Sequence, residues 1–320
     1  MPSKREAPTP RQRPDEKSKT RRGAGGSLAT VLPLGLVIGA LVVALAFVFT
    51  RDNSPAPVAF PDFAATDPGP IHVHGLGINP KDGSLFIATH TGLWRTAVGE
   101  TKAERVSDHM QDTMGFTIIG ANRFLGSGHP DQQQYREEGL PPLLGLIEST
   151  DGGESWRPIS LLGQADFHVL RSKGSRVYGF DATNERLMFS RDAGRSWTER
   201  RPPAPLFDLA VNPSNPSHLI ASGEAGLWKS ASEGRAWAFE GEGVGLLAWP
   251  VARRLYLVTT SGEARMSRDG GDRWAAVGDV GGEPAALLAQ TSRELYVALH
   301  DGTVKRSADS GRTWDVRSTP

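Results

Sequence analysis

From Ile71 onward the chain alternates apolar and polar residues in short runs that Gly, Asn, Asp and Pro interrupt. A run with period two puts its apolar side chains on one face, as an antiparallel strand does. The clearest unit has four such runs, Gly245–Trp249, Leu255–Thr259, Ala264–Ser267 and Ala275–Val277. Equivalent units open near Ile71, Met114, Asp166, Leu206, Gly245 and Ala285.

An octad punctuates the pattern. It reads Ser-Thr-Asp-Gly-Gly-Glu-Ser-Trp at 149–156, Ser-Arg-Asp-Ala-Gly-Arg-Ser-Trp at 190–197, Ser-Arg-Asp-Gly-Gly-Asp-Arg-Trp at 267–274 and Ser-Ala-Asp-Ser-Gly-Arg-Thr-Trp at 307–314. A worn copy at 230–237 has Ser232 in place of the Asp. A repeat of about 40 residues flanked by strands is the signature of a blade-by-blade ring, so the expected fold class is all-β, a six-bladed β-propeller. A seventh blade would have to be assembled from the linker and the C-terminus, where evenly spaced strand signals are missing. The octad lies between the third and fourth strands of its unit. There the Ser and Asp side chains can bond turn backbone, Gly153, Gly194, Gly234, Gly271 and Gly311 allow unusual dihedrals, and the Trp can fill the wedge between blades. The loss of Asp at 232 predicts a less firmly held hairpin.

Charge divides the chain. Residues 1–27 hold eight basic and three acidic side chains, so the formally neutral chain pairs a +5 tail with a −5 remainder. This tail, rich in Pro, Arg, Lys and Gly, is expected to be disordered and cytoplasmic; a basic run of this kind reads as a solvated tail, and no nucleic-acid partner is expected. Residues 28–50 follow without a charge, long enough for a transmembrane helix, and the flanking basic residues orient it with its N-terminus in the cytoplasm. The expected organisation is a single-pass signal anchor at 28–50, a Pro-rich linker at 51–70 and an extracytoplasmic propeller at 71–320. A cleavable signal peptide ending near Ala44-Leu45-Ala46 is the alternative. The sequence has no cysteine, which excludes disulfides, thiolate metal sites and a nucleophilic thiol. Arg outnumbers Lys 28 to 8, the bias of a GC-rich bacterial genome.

The Ser-x-Asp-x-Gly-x-(Ser/Thr)-Trp octads resemble the Asp-boxes, or BNR repeats, of sialidase-like propellers. The segments His72-Val73-His74-Gly75-Leu76, Thr89-His90-Thr91-Gly92-Leu93, Met114-Gly115-Phe116, Ser127-Gly128-His129-Pro130 and Asp166-Phe167-His168 resemble bacterial membrane-anchored propellers labelled glycosyl hydrolase or exo-alpha-sialidase. The resemblance implies the fold and puts the octads on the face opposite a sialidase active site. Activity needs its own argument.

On that frame seven of the eight histidines gather at the mouth opposite the octads. His72, His74 and His168 start innermost strands, His90, His129 and His300 end second strands, and His109 lies in the loop entering the second blade. Only His218 falls on the octad side. His72 and His74, two apart on a strand, share a face. The metal-ligand candidates are therefore His72, His74, His90, His129 and His168, an imidazole set that suits zinc or copper, with Met110 and Met114 favouring copper. Asp112, Asp166 and Asp181 are the catalytic candidates, and Met114 and Tyr135 the further ligand-binding ones. The insertion 130–142, which carries Tyr135, leaves the same mouth and could form a lid.

Three functions compete: a ligand-binding propeller holding a transition metal at the mouth, a glycoside hydrolase acting on extracellular glycans through paired carboxylates, and a protein-interaction propeller. True sialidase chemistry fits poorly. The Arg-Ile-Pro motif is absent, and Arg171 is the one arginine placed on an innermost strand among the histidine-bearing blades.

Overall fold

The structure is a computed structural model that describes residues 69–320. The predicted tail, membrane-spanning segment and most of the linker lie outside the described residues. Among those described, no helix is long and apolar enough to cross a membrane.

Among the described residues, twenty-four strands form six four-stranded antiparallel sheets, each built from four consecutive strands ordered from the centre outward. The inner strands are Val73–Ile78, Asp112–Gly120, Phe167–Lys173, Leu206–Val211, Gly245–Val251 and Pro284–Ala289. Each adjoins the next, and the sixth returns to the first, so the blades close a ring. The six-bladed reading and its unit boundaries hold to within a few residues. Closure is reinforced at the rim, where Thr319 bridges Lys102, the Thr96 and Ser318 hydroxyls lie 2.7 Å apart, and Arg317 donates to the carbonyls of Thr96, Ala97 and Glu100.

The core consists of seams between blades. Leu125 and Leu146 of blade 2 pack with Phe167, Leu170 and Val177 of blade 3, and Trp197 joins them. Trp156, Trp237, Trp274 and Trp314 close the seams of blades 1–2, 3–4, 4–5 and 5–6 in the same way. Blade 1 carries no octad, and there Trp94, on the third strand, packs with Tyr296 and Val304 of blade 6. Burying each large apolar side chain contributes about 1.5–3 kcal/mol.

The octad is therefore a fastener between blades as well as a hairpin brace. Its first Ser accepts the N–H of the Gly four residues on, at 2.8–3.0 Å in all five copies. The Asp accepts the backbone N–H of Ser155, Ser196, Arg273 or Thr313. The Gly then lies against the preceding blade: a Cβ at Gly194 would sit 2.1 Å from Leu146 Cδ2, and one at Gly153 2.3 Å from Leu93 Cδ2. The worn copy keeps its backbone bonds, because Ser232 Oγ accepts Ala236 N–H at 3.1 Å. Beside it Glu233, buried, faces Arg191 at 2.5 Å, Arg235 at 3.5 Å and Arg176 at 3.6 Å. Thus the expectation of a loose fourth hairpin meets a compensating ion cluster that ties blade 3 to blade 4.

Ser190→Ala leaves the buried Gly194 N–H without its acceptor, at about 1–3 kcal/mol, which is about 2–4 °C of Tm per kcal/mol in a domain of this size. Gly194→Ala is expected to cost more, since φ at Gly194 is +84° and the added methyl meets Leu146. Thermal unfolding of the two variants beside the wild type checks both.

Candidate functional site

Five of the six inner strands carry a β-bulge one or two residues in from the start. The ladder skips His74, Met114, His168, Phe207 and Ala285, while Leu246 of blade 5 stays in register. A bulged residue is released from the pleat and re-aimed, which is why bulges occur beside sites. Around the ring the series runs imidazole, thioether, imidazole, phenyl, isobutyl, methyl. The donor-bearing bulges are thus confined to blades 1–3, and Phe207, 45% exposed, begins the apolar half of the series.

Two acid-centred groups occupy the polar half. In the first, Asp112 opens the inner strand of blade 2 and meets two histidines of blade 1. His90 Nδ1 is 2.9 Å from Asp112 Oδ2, and His74 Nε2 is 3.9 Å from Asp112 Oδ1. His90 is presented by a turn in which Thr89 Oγ1 donates to Gly92 O and accepts Thr91 N–H. The His74 and His90 rings cross edge-on at 4.4 Å between centroids, and one ligand atom from each of His74, His90 and Asp112 falls within a 4.8 Å set. His74 Nε2 and Asp112 Oδ1 are both buried and have no hydrogen-bond partner. Burial, then the charge on His90, pushes the His74 pKa down to about 3, so this imidazole is neutral at physiological pH. His72 adopts φ +54°, with its ring 5.3 Å from that of His90. Its pKa is lowered by burial and by the charges of His90 and His300, against the pull of Asp112.

In the second group Asp166 precedes the inner strand of blade 3. Its Oδ2 lies 2.8 Å from His168 Nε2 and 3.4 Å from His129 Nε2. His129 is turned by the insertion, its Nδ1 lying 2.9 Å from the carbonyl of Pro142. Burial opposes charge on His129, but the hydrogen bond and charge of Asp166 and the Pro142 carbonyl outweigh it and push the pKa up to about 9. Burial would raise the Asp166 pKa; the bonds from His129 and His168 instead hold it well below the usual carboxylate range.

The five predicted histidines therefore do not meet at one point. They split into His72, His74 and His90 around Asp112, and His129 and His168 around Asp166. The halves adjoin, because Asp112 and His129 are cross-strand partners in blade 2. Met114 is buried at its bulge between them. Asp181, by contrast, is fully buried and positions the second group: it accepts the Asp166 N–H at 3.1 Å and is held by Asn184 at 2.8 Å and Arg186 at 2.9 Å. Tyr135 lies on the short helix Gln132–Arg136, whose capping residue Asp131 also accepts Met110 N–H at 3.0 Å and faces His109 at 3.4 Å. The insertion is thus fastened beside the mouth, and His90 and His129 stay partly open to solvent.

Arg171 is engaged within the seam of blades 3 and 4. It donates to Asp208 Oδ1 at 2.6 Å and to the carbonyls of Leu209 and Leu170, and Asp208 in turn accepts the Leu209 and Leu247 N–H groups. It braces three inner strands and is not aimed at a substrate carboxylate. The bulges and the buried role of Asp181 escaped sequence reasoning. The bulges leave a trace only as a shift of register, and Asp181 differs from Asp112 and Asp166 in being held by Asn184 and Arg186 instead of by histidines.

No protein-family profile and no curated protein matches this chain. Solved β-propellers do. A YCF48 protein bound to D1 peptide aligns with TM-score 0.50 at 17% identity, over 78% of this chain and 83% of that one. The GH74 xyloglucanase from Xanthomonas campestris aligns with TM-score 0.50 at 17% identity, over 79% of this chain and 46% of that one. A chain of a nidogen–laminin complex aligns with TM-score 0.55 at 12% identity, over 74% and 93%. This chain spans less than half of the xyloglucanase, and identities this low establish the shared fold alone.

In protein treated with a chelator, His129 is expected to titrate near 9 by NMR and to return toward about 6.5 in Asp166→Asn. Its folded pKa is raised, so the stability it contributes is complete below its unfolded pKa and is lost as pH rises through 9. The Asp166 pKa is lowered, so its contribution is lost at the acid end.

Proposed function

We propose that the mouth is a binding site for a transition metal ion, copper or zinc, held by His74, His90 and Asp112. The observation that supports this most is the pair of buried, unpartnered atoms, His74 Nε2 and Asp112 Oδ1, 3.9 Å apart beside His90. A buried polar atom without a partner costs about 1–3 kcal/mol, and one cation would satisfy both. Two imidazoles with one carboxylate suit zinc or copper, and the remaining positions on the ion would stay open to water or a ligand.

Around this site we place a membrane-tethered protein of the sialidase-like Asp-box type: tail 1–27, anchor 28–50, linker 51–70 and extracytoplasmic propeller 71–320. The octad hydrogen bonds support the Asp-box resemblance, and the anchor rests on the uncharged run. Protease added to intact cells should cut the propeller while it remains with the membrane fraction; a protected propeller would reverse the topology.

Full-length protein is expected to bind zinc(II) or copper(II), and His74→Ala/His90→Ala to lose one equivalent. At 100-fold excess over Kd the ion should raise Tm by roughly 5–10 °C. Absence of bound metal after loading, with no shift in Tm, would overturn the reading. A second reading, a glycoside hydrolase, draws on Asp112 and Asp166 at one mouth. Turnover of aryl glycosides that disappears in Asp112→Asn and Asp166→Asn would favour it.

A further inference from the structure

The second acid-centred group repeats the logic of the first. In each, an acid at the entrance of an inner strand faces the histidine that ends the second strand of the preceding blade: Asp112 with His90, Asp166 with His129. In each, a bulge residue supplies the other imidazole, His74 or His168. The copies differ in one respect. His74 comes from the preceding blade and His168 from the same blade as its acid, and the register position equivalent to His74 in the second group is Met114.

Three features of this second group point to a cation. Asp166 is only 4% exposed at its side chain, and its Oδ1 is buried without a partner while Oδ2 holds both histidines. His129 carries the support usual for a metal ligand, in which the distal ring nitrogen is oriented by a backbone carbonyl, here that of Pro142 at 2.9 Å. The insertion 130–142 thereby acquires a role: it fixes the orientation of that ring. Finally, Asp181 and Ser127 pin the backbone on either side, bonding the N–H groups of Asp166 at 3.1 Å and Phe167 at 2.9 Å.

We propose that Asp166, His168 and His129 form a second divalent-metal site, making the mouth a two-ion centre with one ion at Asp112 and one at Asp166. This rests on the reading that the first group binds metal. The ligand atoms of this set are spread wider than those of the first group, which fall within 4.8 Å of one another, so on loading His168 and His129 would draw together, exchanging their contacts with Asp166 for ligation through the same Nε2 atoms, and Oδ1 would gain its missing partner. Blade 4 ends the series, since its bulge residue is Phe207 and its second strand closes on Gly223.

The test is zinc(II) stoichiometry on the full-length protein in detergent, by metal analysis after equilibrium dialysis. The expected result is two equivalents in the wild type, one in Asp166→Asn, one in Asp112→Asn and none in the double variant. One equivalent that Asp112→Asn removes and Asp166→Asn retains would overturn the second site and leave the first. One equivalent lost in either single variant would mean a single shared ion and would also overturn it. No bound zinc in the wild type would overturn the underlying reading as well. If Asp166→Asn unfolds, His168→Ala replaces it. That side chain lies outside the ladder, and retention of two equivalents in a folded His168→Ala would equally overturn the proposal.

Discussion

The ring depends on the contact by which each blade seats its glycine and tryptophan against the blade before it. A β-sheet with one uncovered apolar face cannot stand alone in water, and here both faces of each blade are covered by neighbours. At Gly153, Gly194 and Gly234 the glycine admits a leucine of the preceding blade to distances no Cβ would permit, and the tryptophan fills what remains of the wedge. Because the contact is one-directional, each blade holds its predecessor. The first blade, which lacks an octad, must be held by other means. Trp94 and the rim bonds of Arg317 serve that purpose.

Much of this was legible beforehand. The period, the order of strands, the six openings and the octad face follow from alternation and turn residues, which are local properties. The gathering of seven histidines at one mouth was legible for the same reason, since the topology assigns each strand end to a face. The partition of the five leading candidates was not, because it depends on which residue the ladder skips. A bulge at His74 or His168 leaves the hydrophobic pattern nearly unchanged and still alters where the ring points. The surroundings of Asp181 were not legible either, because an acid at a strand end looks the same in sequence whether it faces solvent or is buried beneath Arg186.

The braces and the site are coupled through shared backbone. Asp208 and Arg171 tie together the inner strands of blades 3, 4 and 5. Asp181 and Ser127 hold the entrance of blade 3, so the carboxylate of Asp166 is delivered by a fixed main chain. His129 is oriented by an insertion whose own helix is capped by Asp131, and Asp131 also restrains the loop bearing His109 and Met110. A disturbance in the insertion would be felt first in the imidazole of His129.

The bulges carry a consequence for how such a molecule can change over generations. A residue outside the ladder contributes nothing to register, so its identity can drift while the scaffold stays constant. Five such positions around one opening then act as an alphabet written on an unchanging page. A relative with histidine in place of Phe207 would extend the polar arc, and one with leucine in place of His74 would shorten it, without a single blade having to move.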